Sequence, residues 1–239
     1  MAQGDQNLMR TFKTIELNIH PAGWPFIAAF AGISALLTAI SGTLGMLGWI
    51  LTAWCVYFFR DPDRVVPSRP GLIVAPGDGI LQAIVDIDSP PAELGLAPGK
   101  YTRLSTFLSV FDVHVNRFPL AGKVVGKTYI PGKFVNAALD KASEDNERLA
   151  LRLEVEGGRE IGVVQIAGLI ARRILCFVEP GFVTKTGERF GLIRFGSRVD
   201  VYLPAGIAPL VIVGQRMVGG ETVLADLNGT EPARQGDLN

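Results

Sequence analysis

From Trp24 to Phe59 the chain reads "WPFIAAFAGISALLTAISGTLGMLGWILTAWCVYFF", with no Asp, Glu, Lys or Arg anywhere in the run. A segment of this kind has to be covered, by protein or by lipid. One membrane-crossing helix needs about 20 apolar residues, so the run is too long for one ordinary span and short for two full ones. Ser41-Gly42-Thr43-Leu44-Gly45 is a turn candidate near its middle. The expectation is a tight hairpin of two short helices that either spans a bilayer or dips into one leaflet. Arg10 and Lys13 precede it and Arg60, Arg64 and Arg69 follow, which puts both ends, and the domain beyond, on the cytoplasmic side of the cell membrane. Trp24 at one end and Trp54, Tyr57, Phe58 and Phe59 at the other suit an interfacial belt. A cleaved signal peptide fits less well, because the run starts late and exceeds the usual apolar core. A buried helical pair in a soluble protein is the alternative.

Residues 60–70, "RDPDRVVPSRP", form a Pro- and Arg-rich linker, and from residue 71 to 239 the pattern changes to short alternating runs punctuated by Gly and Pro. "GLIVAP", "GILQAIVDID", "TRLSTFLSVFDVHVNRFP", "GKVVGKTYIPG", "RLALRLEVEG", "EIGVVQIAG", "RILCFVEP", "RFGLIRFG", "RVDVYLP" and "ETVLADL" read as strands. Their spacing predicts a mainly β domain, a β-sandwich or partly open β-barrel, with one short helix over residues 133–148. The apolar helical hairpin at 24–59 and an N-terminal segment, 1–23, precede it.

Lys and Arg total 23, as do Asp and Glu, so the chain lacks the basic excess of a nucleic-acid surface. Cys55 and Cys176 lie far apart and neither frames a disulfide scaffold nor a metal site. With His20 and His114 as the two histidines, no metal is expected.

Chemistry must therefore come from a few side chains. In "FLSVFDVHVNRFP" a period of two predicts Phe111, Val113 and Val115 on one face of a strand, with Asp112, His114 and Asn116 on the other. In "VAPGDGIL", Asp78 stands between two glycines, an ordinary turn aspartate or the acidic partner of an imidazole. Ser197 follows Gly196 between two strand-like runs. A nucleophile elbow needs Gly-x-Ser-x-Gly, and Phe195 and Arg198 break that pattern. An alternative is attack of the Ser197 hydroxyl on the Gly196 carbonyl, giving an ester. Elimination to dehydroalanine and hydrolysis would then leave a pyruvoyl group at 197. Glycine at 196 suits this because it tolerates a strained backbone.

The motifs "FFRDPDR", "VAPGDG", "FLSVFDVHVNR", "GKFVNAALDKASEDNER", "GLIARRI" and "GERFGLIRFGSRVDVYLP", in this order and over almost the whole chain, resemble the phosphatidylserine decarboxylases in their short proenzyme form. The resemblance implies self-cleavage between Gly196 and Ser197 into a β chain, 1–196, and an α chain, 197–239, that stay together as a heterodimer. It implies a covalent pyruvoyl cofactor at Ser197, a Schiff base with phosphatidylserine, and release of CO2 and phosphatidylethanolamine. Asp78 matches the family's processing aspartate and His114 its Asp-x-His histidine. Long-form relatives carry a second histidine where this chain has Arg117, and threonine where it has Arg198. Arg117 is a candidate for the substrate's carboxylate or phosphate, and Arg60, Arg64, Arg172 and Arg173 for phosphate or the membrane surface. Two other readings are a non-catalytic, membrane-tethered β module like the lipoyl and biotinyl carriers, which the missing hairpin-tip lysine disfavours, and a membrane-anchored serine hydrolase.

Overall fold

The computed structural model describes residues 18–132, 145–168, 173–194 and 196–236. The chain divides into two compact units, one ending at Arg64 and the other beginning at Val65.

The first unit is a helical hairpin. Helix α1 (Trp24–Ile40) and helix α2 (Gly42–Phe58) are separated by Ser41 alone, which takes an extended backbone (φ −157°, ψ 129°). The turn is thus shorter than the five residues expected, and Gly42 to Gly45 already belong to α2. The helices meet through small residues: a Cβ added at Gly45 would fall 2.7 Å from the Thr38 Cα, and one at Gly48 would fall 3.1 Å from the Ser34 Cα. Ser34 and Thr52 share a buried hydroxyl contact of 3.0 Å at the same seam. Ile33, Leu36, Ile40, Leu47, Trp49, Ile50 and Leu51 point outward and are exposed. Small residues inside and large apolar ones outside is the arrangement of helices packed in lipid. Together with the turn before it, α1 gives a helix over Pro21–Ile40 long and apolar enough to cross a membrane.

The second unit is mainly β. An eight-stranded antiparallel sheet, curled into a half-barrel, runs in the order β12-β2-β3-β11-β7-β6-β5-β9. Its strands are β2 (Gly79–Ile87), β3 (Tyr101–Leu108), β5 (Gly122–Ile130), β6 (Arg148–Glu154), β7 (Glu160–Ala167), β9 (Val183–Thr184), β11 (Ser197–Pro204) and β12 (Arg216–Met217). A three-stranded sheet joins β4 (Val115–Arg117), β10 (Arg189–Ile193) and β8 (Ile174–Cys176), and β1 (Leu72–Val74) pairs with β13 (Val223–Asp226). The main core contains Ile73, Leu81, Leu104, Leu108, Phe118, Leu151, Phe190, Val199, Val201 and Leu203. Strand alternation puts Val199, Val201 and Leu203 into this core. Tyr202 packs in a second cluster with Leu94, Tyr101, Val164 and Ile166. Strand β11, hydrogen-bonded to β3 and β7, is thus covered on both faces.

Two expectations change. The run read as one strand through Thr102 and Pro119 is two strands of different sheets, β3 and β4, joined by a loop over 109–114. Period two therefore fails there: Asp112, Val113 and His114 are all buried while Phe111 is exposed. The expected helix lies mostly at 133–144, outside the described residues, and Arg148 at its end belongs to β6.

Candidate active site

His114 and Gly196, both singled out in the sequence, meet where the chain crosses from one sheet to the other. Strand β10 ends at Ile193 in the three-stranded sheet, and β11 begins at Ser197 in the eight-stranded one. Gly196 sits at this crossing with φ +71°. Among the described residues other than its chain neighbours, a Cβ there would meet nothing nearer than a Val110 methyl at 3.8 Å, so the left-handed backbone selects glycine. Ser197 enters the ladder opposite Leu108 on β3 and Ala167 on β7. It is fully buried, and its Oγ has no hydrogen-bond partner among the described residues.

His114, also fully buried, closes the site from the loop before β4. The Gly196 N–H lies 3.0 Å from its Nε2, and its Nδ1 lies 3.0 Å from the main-chain oxygen of Asp112. A carbonyl accepts and an amide N–H donates, so the ring carries its proton on Nδ1 and turns the lone pair of Nε2 to the Gly196 amide. The orienting group is thus a backbone carbonyl. The Asp112 carboxylate fixes the loop by accepting from Ser109 N–H at 2.8 Å and from Arg216 on β12.

Asp78 is nearly buried in the turn before β2, and its Oδ1 accepts the Gly219 N–H at 2.8 Å. The turn packs on the same region, because a Cβ at Gly77 would fall 3.2 Å from Leu108 and 3.3 Å from Asn116. Arg117 is buried in β4. Its guanidinium donates to the Gly187 carbonyl at 3.0 Å and its N–H to the Pro76 carbonyl at 2.9 Å, tying β4 to two loops. Arg173 is exposed, and its main-chain oxygen accepts from Arg194 N–H at 3.4 Å. Burial lowers the Arg194 pKa, and the nearby charge of Arg173 adds to the effect. Arg172 lies outside the described residues.

Sequence reasoning missed three partners. Gln165 reaches from β7 to hydrogen-bond Asn116 at 2.7 Å. Arg198, next to the site serine, makes two 2.9 Å hydrogen bonds to Asp200, with both side chains buried. Tyr202 lies two residues farther along, and burial, helped by the Asp200 carboxylate, raises its phenol above the ordinary range. A buried arginine two residues before an aspartate on one strand is a signal the sequence does carry, since i and i+2 share a face. Among the described residues no cluster of three or more His, Cys, Asp or Glu is arranged to hold a metal ion.

A family model described as phosphatidylserine decarboxylase matches residues 51–225. The phosphatidylserine decarboxylase proenzyme of Cereibacter sphaeroides is 58% identical over 218 residues, 91% of this chain and 94% of that protein. Those of Ruegeria pomeroyi (58%; 92% and 100% covered) and Paramagnetospirillum magneticum (56%; 95% and 94% covered) are similar to a like degree. The chain belongs to the phosphatidylserine decarboxylase family.

The family model starts inside α2 and ends in β13, so the phosphatidylserine decarboxylase match takes in Asp78, His114, Gly196 and Ser197 together. The likeness to proenzymes over nine-tenths of the chain leaves the carrier-module and serine-hydrolase alternatives without support.

Proposed function

We propose that the chain cuts its own backbone between Gly196 and Ser197, turns residue 197 into a pyruvoyl group, and uses it to decarboxylate phosphatidylserine to phosphatidylethanolamine and CO2. The observation that carries this reading is the Ser197 hydroxyl: fully buried, without a hydrogen-bond partner among the described residues, and directly after a glycine of positive φ whose N–H is held by His114. A buried hydroxyl left bare costs free energy, and a reaction that uses it accounts for its presence. The residues around position 197 thus fit the group.

In the proposed cut, Ser197 Oγ adds to the Gly196 carbonyl carbon while its proton passes to a base. The C–N bond then breaks as the amine gains a proton, leaving an ester. Loss of the residue 197 α-proton expels the Gly196 carboxylate, and the dehydroalanine that remains takes up water and releases ammonia. His114 is the base this reading assigns, with its Nε2 lone pair at the amide one peptide unit from the scissile bond. Asp78, held by Gly219, is the second proton acceptor assigned to the cut.

The pyruvoyl group, once formed, supplies the electron sink for the pair left behind when CO2 departs. The chain's own residues do the rest. Strands β3 and β7 flank residue 197 and exclude water, and His114 holds the proton that replaces CO2 on the headgroup carbon. Arg172 and Arg173, with Arg117 farther inside, are assigned to the headgroup's anionic oxygens.

The substrate keeps its acyl chains in the bilayer, because each buried CH2 is worth about 0.8 kcal/mol. In this reading the α1–α2 hairpin holds the enzyme at the lipid surface, on the cytoplasmic side, which the basic residues on both flanks support. The two fragments are proposed to remain one heterodimer.

Intact-mass analysis tests the reading. The purified chain is expected as two fragments, the smaller one starting at residue 197 with a carbonyl in place of its amine, while Ser197→Ala stays whole and releases no CO2 from phosphatidylserine. Turnover by an uncut Ser197→Ala chain excludes the proposal.

A further inference from the structure

Asn116 and Gln165 are fully buried, and Gln165 Nε2 donates to Asn116 Oδ1 at 2.7 Å. That bond uses half of each amide. Asn116 Nδ2, a donor, and Gln165 Oε1, an acceptor, are left without a partner among the described residues. Turning both amides over exchanges which residue supplies which, but one donor and one acceptor still remain. The pair bridges the two sheets, with Asn116 on β4 and Gln165 on β7. As a mere tie it is a poor choice, because two apolar side chains of the same shape would join the sheets and leave no polar atom bare.

The surroundings are those of the cleavage site. Asn116 follows His114 by two residues, and Gln165 lies one same-face step along β7 from Ala167, which stands opposite Ser197. Backbone closes on both amides at glycines: a Cβ at Gly77 would fall 3.3 Å from Asn116 Nδ2, and one at Gly191 would fall 2.8 Å from Gln165 Nε2. The two side chains are therefore held in place beside the serine.

A spare donor on one amide and a spare acceptor on the amide bonded to it complement a group that carries an acceptor and a donor on one carbon. The headgroup of phosphatidylserine is such a group, since its carboxylate accepts and its amine donates. Resting on the decarboxylase reading above, we propose that Asn116 and Gln165 recognise the serine headgroup, Asn116 Nδ2 binding a carboxylate oxygen and Gln165 Oε1 an amine hydrogen. Neutral amides hold the carboxylate by hydrogen bonds and add no counter-charge of their own, so they bind the anion without further stabilising it against loss of CO2. The product has lost the carboxylate, and with it the contact to Asn116.

The test uses the full chain in mixed micelles of detergent and phosphatidylserine, with Asn116→Leu and Gln165→Met. Both variants are expected to cut themselves at 196/197. Asn116→Leu should raise KM for phosphatidylserine about tenfold or more, as expected for a lost hydrogen bond to a buried polar group, and leave inhibition by phosphatidylethanolamine unchanged. Gln165→Met should weaken both. Wild-type KM in two fully cut variants overturns the proposal, as does an equal loss of substrate and product binding in Asn116→Leu, which would mean a collapsed site. Absence of cutting in both variants assigns the pair to holding the sheets together and overturns it as well. Failure of the decarboxylase reading itself is seen separately, in an unmodified chain that neither cuts itself nor releases CO2.

Discussion

Gly196 N–H donates to His114 Nε2 at 3.0 Å, a contact that spans 82 residues of sequence and joins the loop before β4 to the crossing between β10 and β11. It fixes the imidazole by its acceptor nitrogen, while Nδ1 is held by the Asp112 carbonyl. A ring held at both nitrogens cannot turn away from the peptide it faces.

Replacing His114 by Ala removes that acceptor. General-base assistance is typically worth about 10²–10⁴ in rate, so cutting at 196/197 is expected to slow by that order while the fold persists. Added imidazole should restore part of the rate by entering the space left by the ring. Protonating Nε2 would set a donor against the Gly196 N–H, so the wild-type cut should also slow on acidification. Time courses of fragment formation check all three, and a His114→Ala chain that cuts at the wild-type rate removes His114 from the mechanism.

Glycines 196 and 79 should respond differently to alanine, for different reasons. At Gly196 the strain is conformational, roughly 1–2 kcal/mol for an L-residue in the left-handed region, and beyond its chain neighbours no described residue comes closer than 3.8 Å. At Gly79 a Cβ would lie 2.0 Å from the Phe107 carbonyl oxygen, so β2 and β3 would be forced apart. That is overpacking against backbone, worth about 3 kcal/mol or more. Thermal unfolding in an uncut Ser197→Ala background should rank Gly79→Ala as the more damaging change, and the reverse order contradicts both assignments.

Much of this arrangement was legible in the sequence, and the misses have physical causes. The uncharged run gave the hairpin, because absence of charge over such a length has few explanations. Alternation gave most strands, but two-residue β9 and β12 are too short to show a period. The stretch through Asp112 and His114 alternates as a strand would, yet loops between two sheets, because its polar side chains are satisfied by Ser109 N–H, Arg216 and Gly196 N–H. Pairing across sheets, as in Gln165 with Asn116, leaves no mark on local pattern. Ser197 and Gly196 were singled out through the chemistry that their order in the chain allows.

Arg198 and Asp200 make a different kind of prediction. Both are buried on the β11 face opposite the main core, and their pairing compensates two desolvated charges. Removing one partner, as in Asp200→Ala, takes away the carboxylate that accepts both 2.9 Å hydrogen bonds from Arg198 and should cost about 3–5 kcal/mol. The double change Arg198→Met with Asp200→Leu removes both charges and should cost much less than either single truncation. Melting temperatures of the four forms decide it. Additive single and double effects would show that the pair is not coupled.

Cutting at 196/197 should not release the smaller fragment. The break falls between two strands anchored in different sheets, so neither new end loses its ladder: β10 keeps β4 and β8, and β11 keeps β3 and β7. The C-terminal fragment is further woven in by β12 on β2 and β13 on β1, by Gly219 on Asp78, and by Arg216 on Asp112. Val199, Val201 and Leu203 stay in the main core, and at about 1.5–3 kcal/mol for each fully buried side chain their exposure opposes dissociation. The two fragments should therefore co-elute on size exclusion without denaturant and separate only under unfolding conditions. Release of residues 197–239 from a cut chain under native conditions would contradict this interlocked topology.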